Sequence, residues 1–230
     1  MKKLVIANWK MNGSYELVEG FANAINTVNN LVVCLPSIFI SNFRSRNKDI
    51  KLGAQDCSVF EGFGAHTGEI SARMLREVGV EYVILGHSER RAISSLDSTQ
   101  NILRKLRNVL DAGLIPILCV SERYDDLIDS DTEDVLAQQK NRIIVAYEPV
   151  SAIGTGKTPT IQEIIRSISE IKRSYNDIRV LYGGSVNQNN AAEILGIDAL
   201  DGVLVGNASL KLNSLMEILK TVDEVNHYTK

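Results

Sequence analysis

Long hydrophobic runs are missing from this chain. Nowhere in its 230 residues do apolar side chains approach the roughly 20 in succession that a membrane-spanning helix needs, so no membrane association is expected. The opening MKKLVIANWK holds an apolar run too short for a signal-peptide core and turns polar at once. Cysteine is scarce. Cys34, Cys57 and Cys119 are too few to pair completely, and two lie in apolar strand-like runs, so reduced, buried thiols and a cytoplasmic setting are expected. His66, His87 and His227 are scattered, and no Cys or His pair has metal-ligand spacing, so no metal site is expected. Charge of one sign is lacking too. The 25 Lys and Arg against 28 Asp and Glu leave −3, which gives no global attraction for nucleic acid or an acidic membrane surface. An anionic ligand would have to be held by local groups. There is no Gly-, Ser- or Pro-rich linker and no low-complexity tract, so residues 1–230 read as one domain.

What is present is a repeated alternation. Short β-branched runs occur at LVIA (4–7), LVVCL (31–35), KLGA (51–54), YVIL (82–85), IPILCV (115–120), RIIVAY (142–147), IRVLY (178–182) and GVLV (202–205). Between most of them lie amphipathic stretches, at Tyr15–Val28, Ser71–Val78, Thr99–Ala112, Ile161–Tyr175, Asn189–Leu195 and Ser214–Val225. Continuously apolar strands that alternate with helices predict a parallel sheet covered on its outer face. Eight such units predict a single (β/α)8 barrel, with eight parallel strands and an outer ring of helices. Two stretches break the rhythm. Gln55–Ile70 is a long loop, and Asp125–Gln139 is acidic and only weakly helical.

The unusual residues fall where strands end, the face on which such barrels build their sites. Asn8 and Lys10 end the first strand and, if it continues, point to the same side. His87 follows the fourth strand, Glu148 the sixth, Gly183-Gly184-Ser185 the seventh, and Gly206-Asn207 the eighth. Singly, each has an ordinary explanation: a solvated lysine, a histidine in a turn, an exposed glutamate, turn glycines. The GTGK at 154–157 lacks the full nucleotide phosphate-loop pattern. Their conjunction at one rim suggests more. Gly-rich turns opening onto helices can present N–H groups to a phosphate. A carboxylate can remove a proton next to a carbonyl, a histidine can donate to the carbonyl oxygen, and a lysine can offset the charge that develops. The residues alone lead to an isomerase or lyase acting on a small phosphorylated carbonyl compound.

The segments ANWKMNG (7–13), GAQD (53–56), GAHTGEIS (64–71), ILGHSERR (84–91), AYEPVSAIGTGKT (146–158), YGGSV (182–186) and LVGNASL (204–210) occur in the order found in triosephosphate isomerases, which the chain closely resembles over nearly its whole length. The resemblance implies a TIM barrel that interconverts dihydroxyacetone phosphate and glyceraldehyde 3-phosphate without a cofactor, in glycolysis and gluconeogenesis. It implies that Glu148 is the base and His87 the neutral electrophile; a neutral histidine at a helix N-terminus is itself a reference case drawn from this family. Lys10 would offset the substrate's negative charge and Asn8 would position it. The N–H groups of Gly154, Ser185, Gly206 and Asn207 would hold the phosphate. Pro149–Thr158 would close as a lid, and Gln55–Ile70, with Thr67 near its tip, would enter a partner subunit in a homodimer.

Four positions depart from the family's pattern. Ser151 stands where a tryptophan is usual at the lid hinge, and Ser121 where a glycine is common before Glu122. Pro159 has no N–H with which to latch the lid to Tyr182. Asn207 replaces a second glycine, a change that its tolerance of positive φ would accommodate. The competing expectations are another sugar-phosphate barrel enzyme, or a catalytically impaired barrel that serves as a binding protein.

Overall fold

In the computed structural model, residues 2–25, 28–93, 97–121, 135, 138–149, 159–175 and 177–228 are described. Eight strands close into one barrel in sequence order. They are β1 (Leu4–Asn8), β2 (Leu31–Leu35), β3 (Lys51–Ala54), β4 (Val80–Leu85), β5 (Ile115–Val120), β6 (Ile144–Tyr147), β7 (Arg179–Tyr182) and β8 (Gly202–Val205). Every neighbouring pair is parallel, and β1 pairs with β8 to complete the circle. The expected barrel is therefore present, with strand ends shifted by two residues at most.

The strands are apolar throughout because both of their faces are buried. Alternate residues serve different cores. Ile6, Val32, Ile84, Ile117, Ile144 and Leu204 fill the barrel interior. Val5, Ala7, Val33, Val83 and Val145 point outward and pack beneath the helices. Closure depends on one glycine. Gly202 has φ +152°, and a Cβ there would lie 2.0 Å from the carbonyl oxygen of Leu4 on the paired strand. Any side chain would wedge the seam between β8 and β1 open.

Two predicted helices are well marked locally. Thr99–Asp111 is capped by Ser98, which accepts from the N–H of Asn101, and it buries Ile102, Leu106 and Val109. Ile161–Ser174 begins with a capping box between Thr160 and Glu163 and buries Ile164, Ile168 and Ile171. The structure corrects other expectations. The first helix stops at Ala24 rather than Val28, where Ile25 turns extended. Helix Ser37–Arg46 has no counterpart among the sequence expectations: it buries only Ile40 and Phe43, too little to show as a stripe. The short helix Ser88–Ile93 buries no residue and shows no stripe either. The last helix is longer than expected, Leu212–Tyr228. Of the acidic stretch Asp125–Gln139, only Val135, Gln138 and Gln139 are among the described residues.

The loop Gln55–Ile70 is closed on itself. The Ser58 N–H donates to Ile70 O at 2.8 Å, His66 stacks on Phe60 with ring centres 3.6 Å apart, and Asn108 Nδ2 donates to Val59 O at 3.2 Å. Such a compact, self-packed loop holds a definite shape.

Candidate active site

The C-terminal ends of the strands open on a cavity of about 370 Å3 lined by Asn8, Lys10, His87, Glu148, Ser185, Gly206 and Asn207. Seven of the eight residues expected at the site are thus brought together. Gly154 lies outside the described residues, as do Ser151 and the rest of the segment expected to act as a lid, from 150 to 158.

Lys10 reaches the cavity by a route other than the one expected. The strand does not continue to it: β1 ends at Asn8, and Lys10 has φ +53°. That left-handed conformation costs a lysine on the order of 1–3 kcal/mol. Asn8 Oδ1 helps to hold it by accepting from the Lys10 N–H at 3.0 Å. The ammonium then pairs with Glu89 at 2.5 Å. Sequence reasoning missed Glu89 as this partner, although it stands in the quoted ILGHSERR segment.

His87 sits just before helix Ser88–Ile93, whose first turn closes on its carbonyl: the Arg90 N–H donates to His87 O at 2.9 Å. The Glu89 N–H donates to His87 Nδ1 at 3.3 Å. An Nδ1 that accepts a hydrogen bond carries no proton, so the ring's proton is on Nε2, the atom on the other side of the ring. Glu148 is 2% exposed. Its Oε2 accepts from the Ser88 N–H at 2.9 Å. Its Oε1 is 2.9 Å from His87 Nε2 but off the line of the ring N–H, and has no hydrogen bond. A buried carboxylate oxygen without a donor is costly. Here the uncommitted oxygen stands beside an uncommitted N–H, at the edge of a cavity.

The helix that carries His87 is tied down by charge. Arg90 makes ion pairs with Asp56 at 2.7 Å and with Asp97 at 2.6 Å. Lys105, 2% exposed, joins both carboxylates, at 2.9 Å and 2.5 Å. Burial pushes the Asp56 carboxyl above its ordinary range, while Lys105 pulls it back. Arg91 Nε donates to Gly86 O at 2.7 Å and Nη2 to Cys119 O at 3.3 Å, which fixes the helix to the ends of β4 and β5.

Part of the cavity wall comes from the turns after the seventh and eighth strands, at Gly183, Gly184, Ser185, Gly206 and Asn207. The N–H groups of Ser185, Gly206 and Asn207 donate to nothing among the described residues. The expectation about Asn207 is corrected in one respect. Its φ is not positive, because it opens a 3-10 turn, Asn207–Leu210, so no left-handed tolerance is needed. Tyr182 is fully buried, and its hydroxyl has no hydrogen bond among the described residues. Burial also pushes its pKa up. The three thiols are free and buried, and burial raises the pKa of Cys57 to about 12, so none is placed to act as a thiolate. Among the described residues no His, Cys, Asp and Glu cluster could hold a metal ion, and no helix is long and apolar enough to cross a membrane.

A family model described as triosephosphate isomerase matches residues 3–222. The chain belongs to the triosephosphate isomerase family. The triosephosphate isomerase of Ehrlichia chaffeensis is 39% identical, with 95% of this chain and 96% of that protein aligned. Those of Wolbachia pipientis wMel and Hahella chejuensis are also 39% identical, over 97% of this chain and 96% and 99% of theirs. The triosephosphate isomerase family thus accounts for the whole barrel, and the chain is an isomerase by descent.

Proposed function

We propose that this protein interconverts dihydroxyacetone phosphate and D-glyceraldehyde 3-phosphate by moving one proton through an enediolate, with Glu148 as base, His87 as electrophile and Lys10 as charge stabiliser. The observation that carries the assignment of roles is the approach of Glu148 Oε1, which has no hydrogen bond, to 2.9 Å from His87 Nε2, both residues lining a cavity that also holds Lys10.

The chemistry follows from what each group can do. A carboxylate placed at the cavity can take a proton from a C–H next to a carbonyl. Glu148 takes the proton from C1 of the ketone and returns it to C2. His87 Nε2–H donates to the oxygen on which negative charge grows. It lies beside the base, so it can serve the oxygens of both carbons in turn. Lys10 supplies a full positive charge, which its strained backbone and Glu89 hold at the rim. Asn8 and the N–H groups of Gly154, Ser185, Gly206 and Asn207 bind and orient the substrate, the latter four at its phosphate. No step calls for a cofactor. A lid over 149–158 would exclude water while the enediolate exists.

The reading takes the chain as one domain, since its first and last strands pair, and as a homodimer. Met11 follows the first strand, Ile38 lies on helix Ser37–Arg46 after the second, and Phe63 lies in the loop after the third; they are 97%, 76% and 67% exposed. Apolar side chains so bare, one of them in the self-packed loop Gln55–Ile70, suit burial against a second copy.

Conversion of glyceraldehyde 3-phosphate by the purified protein tests the proposal, with Glu148→Ala and His87→Ala run alongside. Rapid turnover by the wild type and losses of at least about 100-fold in both variants are expected. Turnover that survives Glu148→Ala would place the base elsewhere.

A further inference from the structure

Asn207 carries a side chain that its backbone does not use. It opens the 3-10 turn Asn207–Leu210, and the residue that closes this turn is Ser209, whose N–H and Oγ both donate to Gly206 O, at 2.8 Å and 2.7 Å. The Asn207 carboxamide therefore caps nothing. It is exposed, lines the cavity, and has no hydrogen bond among the described residues. The main-chain N–H groups of Gly206 and of Asn207 itself likewise donate to nothing among the described residues. The cation of the site is close: a Cβ on Gly206 would stand 3.6 Å from Lys10 Nζ. This end of the cavity is thus made of donors and one ammonium group, and a carboxamide brings two more N–H donors.

We infer that Asn207 is a substrate-binding residue through its side chain as well as its backbone, with Nδ2 donating a hydrogen bond to the phosphate of the substrate. The inference rests on the phosphate end of the reading above and adds a contact to it. A hydrogen bond to a dianion is stronger than one between neutral groups. The phosphate does not react, so the bond is present in ground and transition states alike. It therefore shows in KM and in the affinity for phosphate, rather than in the chemical step.

Two variants separate the side chain from the backbone. Asn207→Ala keeps the N–H and fits the turn, because φ is not positive. Asn207→Asp keeps the shape and replaces the donors with an anion. The probe is inorganic phosphate, measured directly by calorimetry and as a competitive inhibitor, with circular dichroism to show that each variant is folded. Phosphate binding is expected to weaken about 5- to 20-fold in Asn207→Ala and further in Asn207→Asp, with KM for glyceraldehyde 3-phosphate rising in step. Folded variants that bind phosphate as the wild type does overturn the inference, and so does an Asn207→Asp that binds better than Asn207→Ala. A wild type that binds no phosphate overturns it as well. The two readings fail separately: phosphate affinity that depends on Asn207 in a protein with no isomerase activity would leave this inference standing and remove the isomerase.

Discussion

Lys10 shows how a single residue can be held against its own preference. Its φ of +53° is a conformation that glycine adopts freely and lysine does not. The proposed role gives a reason for a lysine here, since its ammonium would stabilise charge at the rim. Stability and activity should therefore separate on substitution. Lys10→Gly is expected to be as stable as the wild type or up to about 1 kcal/mol more stable, since relief of the left-handed strain offsets the loss of the half-exposed pair with Glu89. Its kcat/KM should fall by at least about 100-fold. Urea unfolding and steady-state kinetics on one preparation check both; a large loss of stability would mean that the Glu89 pair outweighs the strain. Glu148 likewise bears a cost, because its buried Oε1 has no hydrogen bond.

Among the elements, the short helix Ser88–Ile93 is the least self-sufficient. It buries none of its own residues, yet it presents His87, the Ser88 N–H and Glu89 to the site. Its placement comes from the charged quartet of Asp56, Arg90, Asp97 and Lys105, and from Arg91 on the carbonyls of β4 and β5. Lys105 is the buried member, from helix Thr99–Asp111, and Asp97 has no exposed side-chain surface. Lys105→Met is expected to cost roughly 3–5 kcal/mol, because it leaves a carboxylate buried beside a methionine. The companion Asp97→Asn with Lys105→Met should recover part of that loss. Thermal unfolding of the single and double variants measures the coupling, and additive losses would show that the two groups act independently.

At the scale of the whole molecule, the barrel sets all strand ends at one rim, and the exposed apolar residues Met11, Ile38 and Phe63 follow the first, second and third strands. A dimer formed there would lie next to Lys10, so assembly and activity should move together. Phe63→Asp is expected to shift the protein toward a monomer in light scattering and to lower kcat/KM while the far-ultraviolet spectrum stays the same. A wild type that is monomeric and fully active at assay concentration would refute the dimer.

The eight strands were legible in the sequence because strands buried on both faces read as unbroken apolar runs. So were the helices Thr99–Asp111 and Ile161–Ser174, whose caps and buried stripes are local. The residues His87, Glu148 and Lys10 stood out by type and by place after a strand. Helix Ser37–Arg46 did not, since two buried side chains make no stripe. What only the tertiary structure decided is how the site is wired: Glu89 on Lys10, the Ser88 N–H on Glu148, the Asp56–Arg90–Asp97–Lys105 quartet, and the negative φ of Asn207. Each joins residues from different βα units, or depends on a backbone angle set by packing. Composition and periodicity carry information about which face a residue occupies. They carry none about which polar atom it will meet once the barrel has closed.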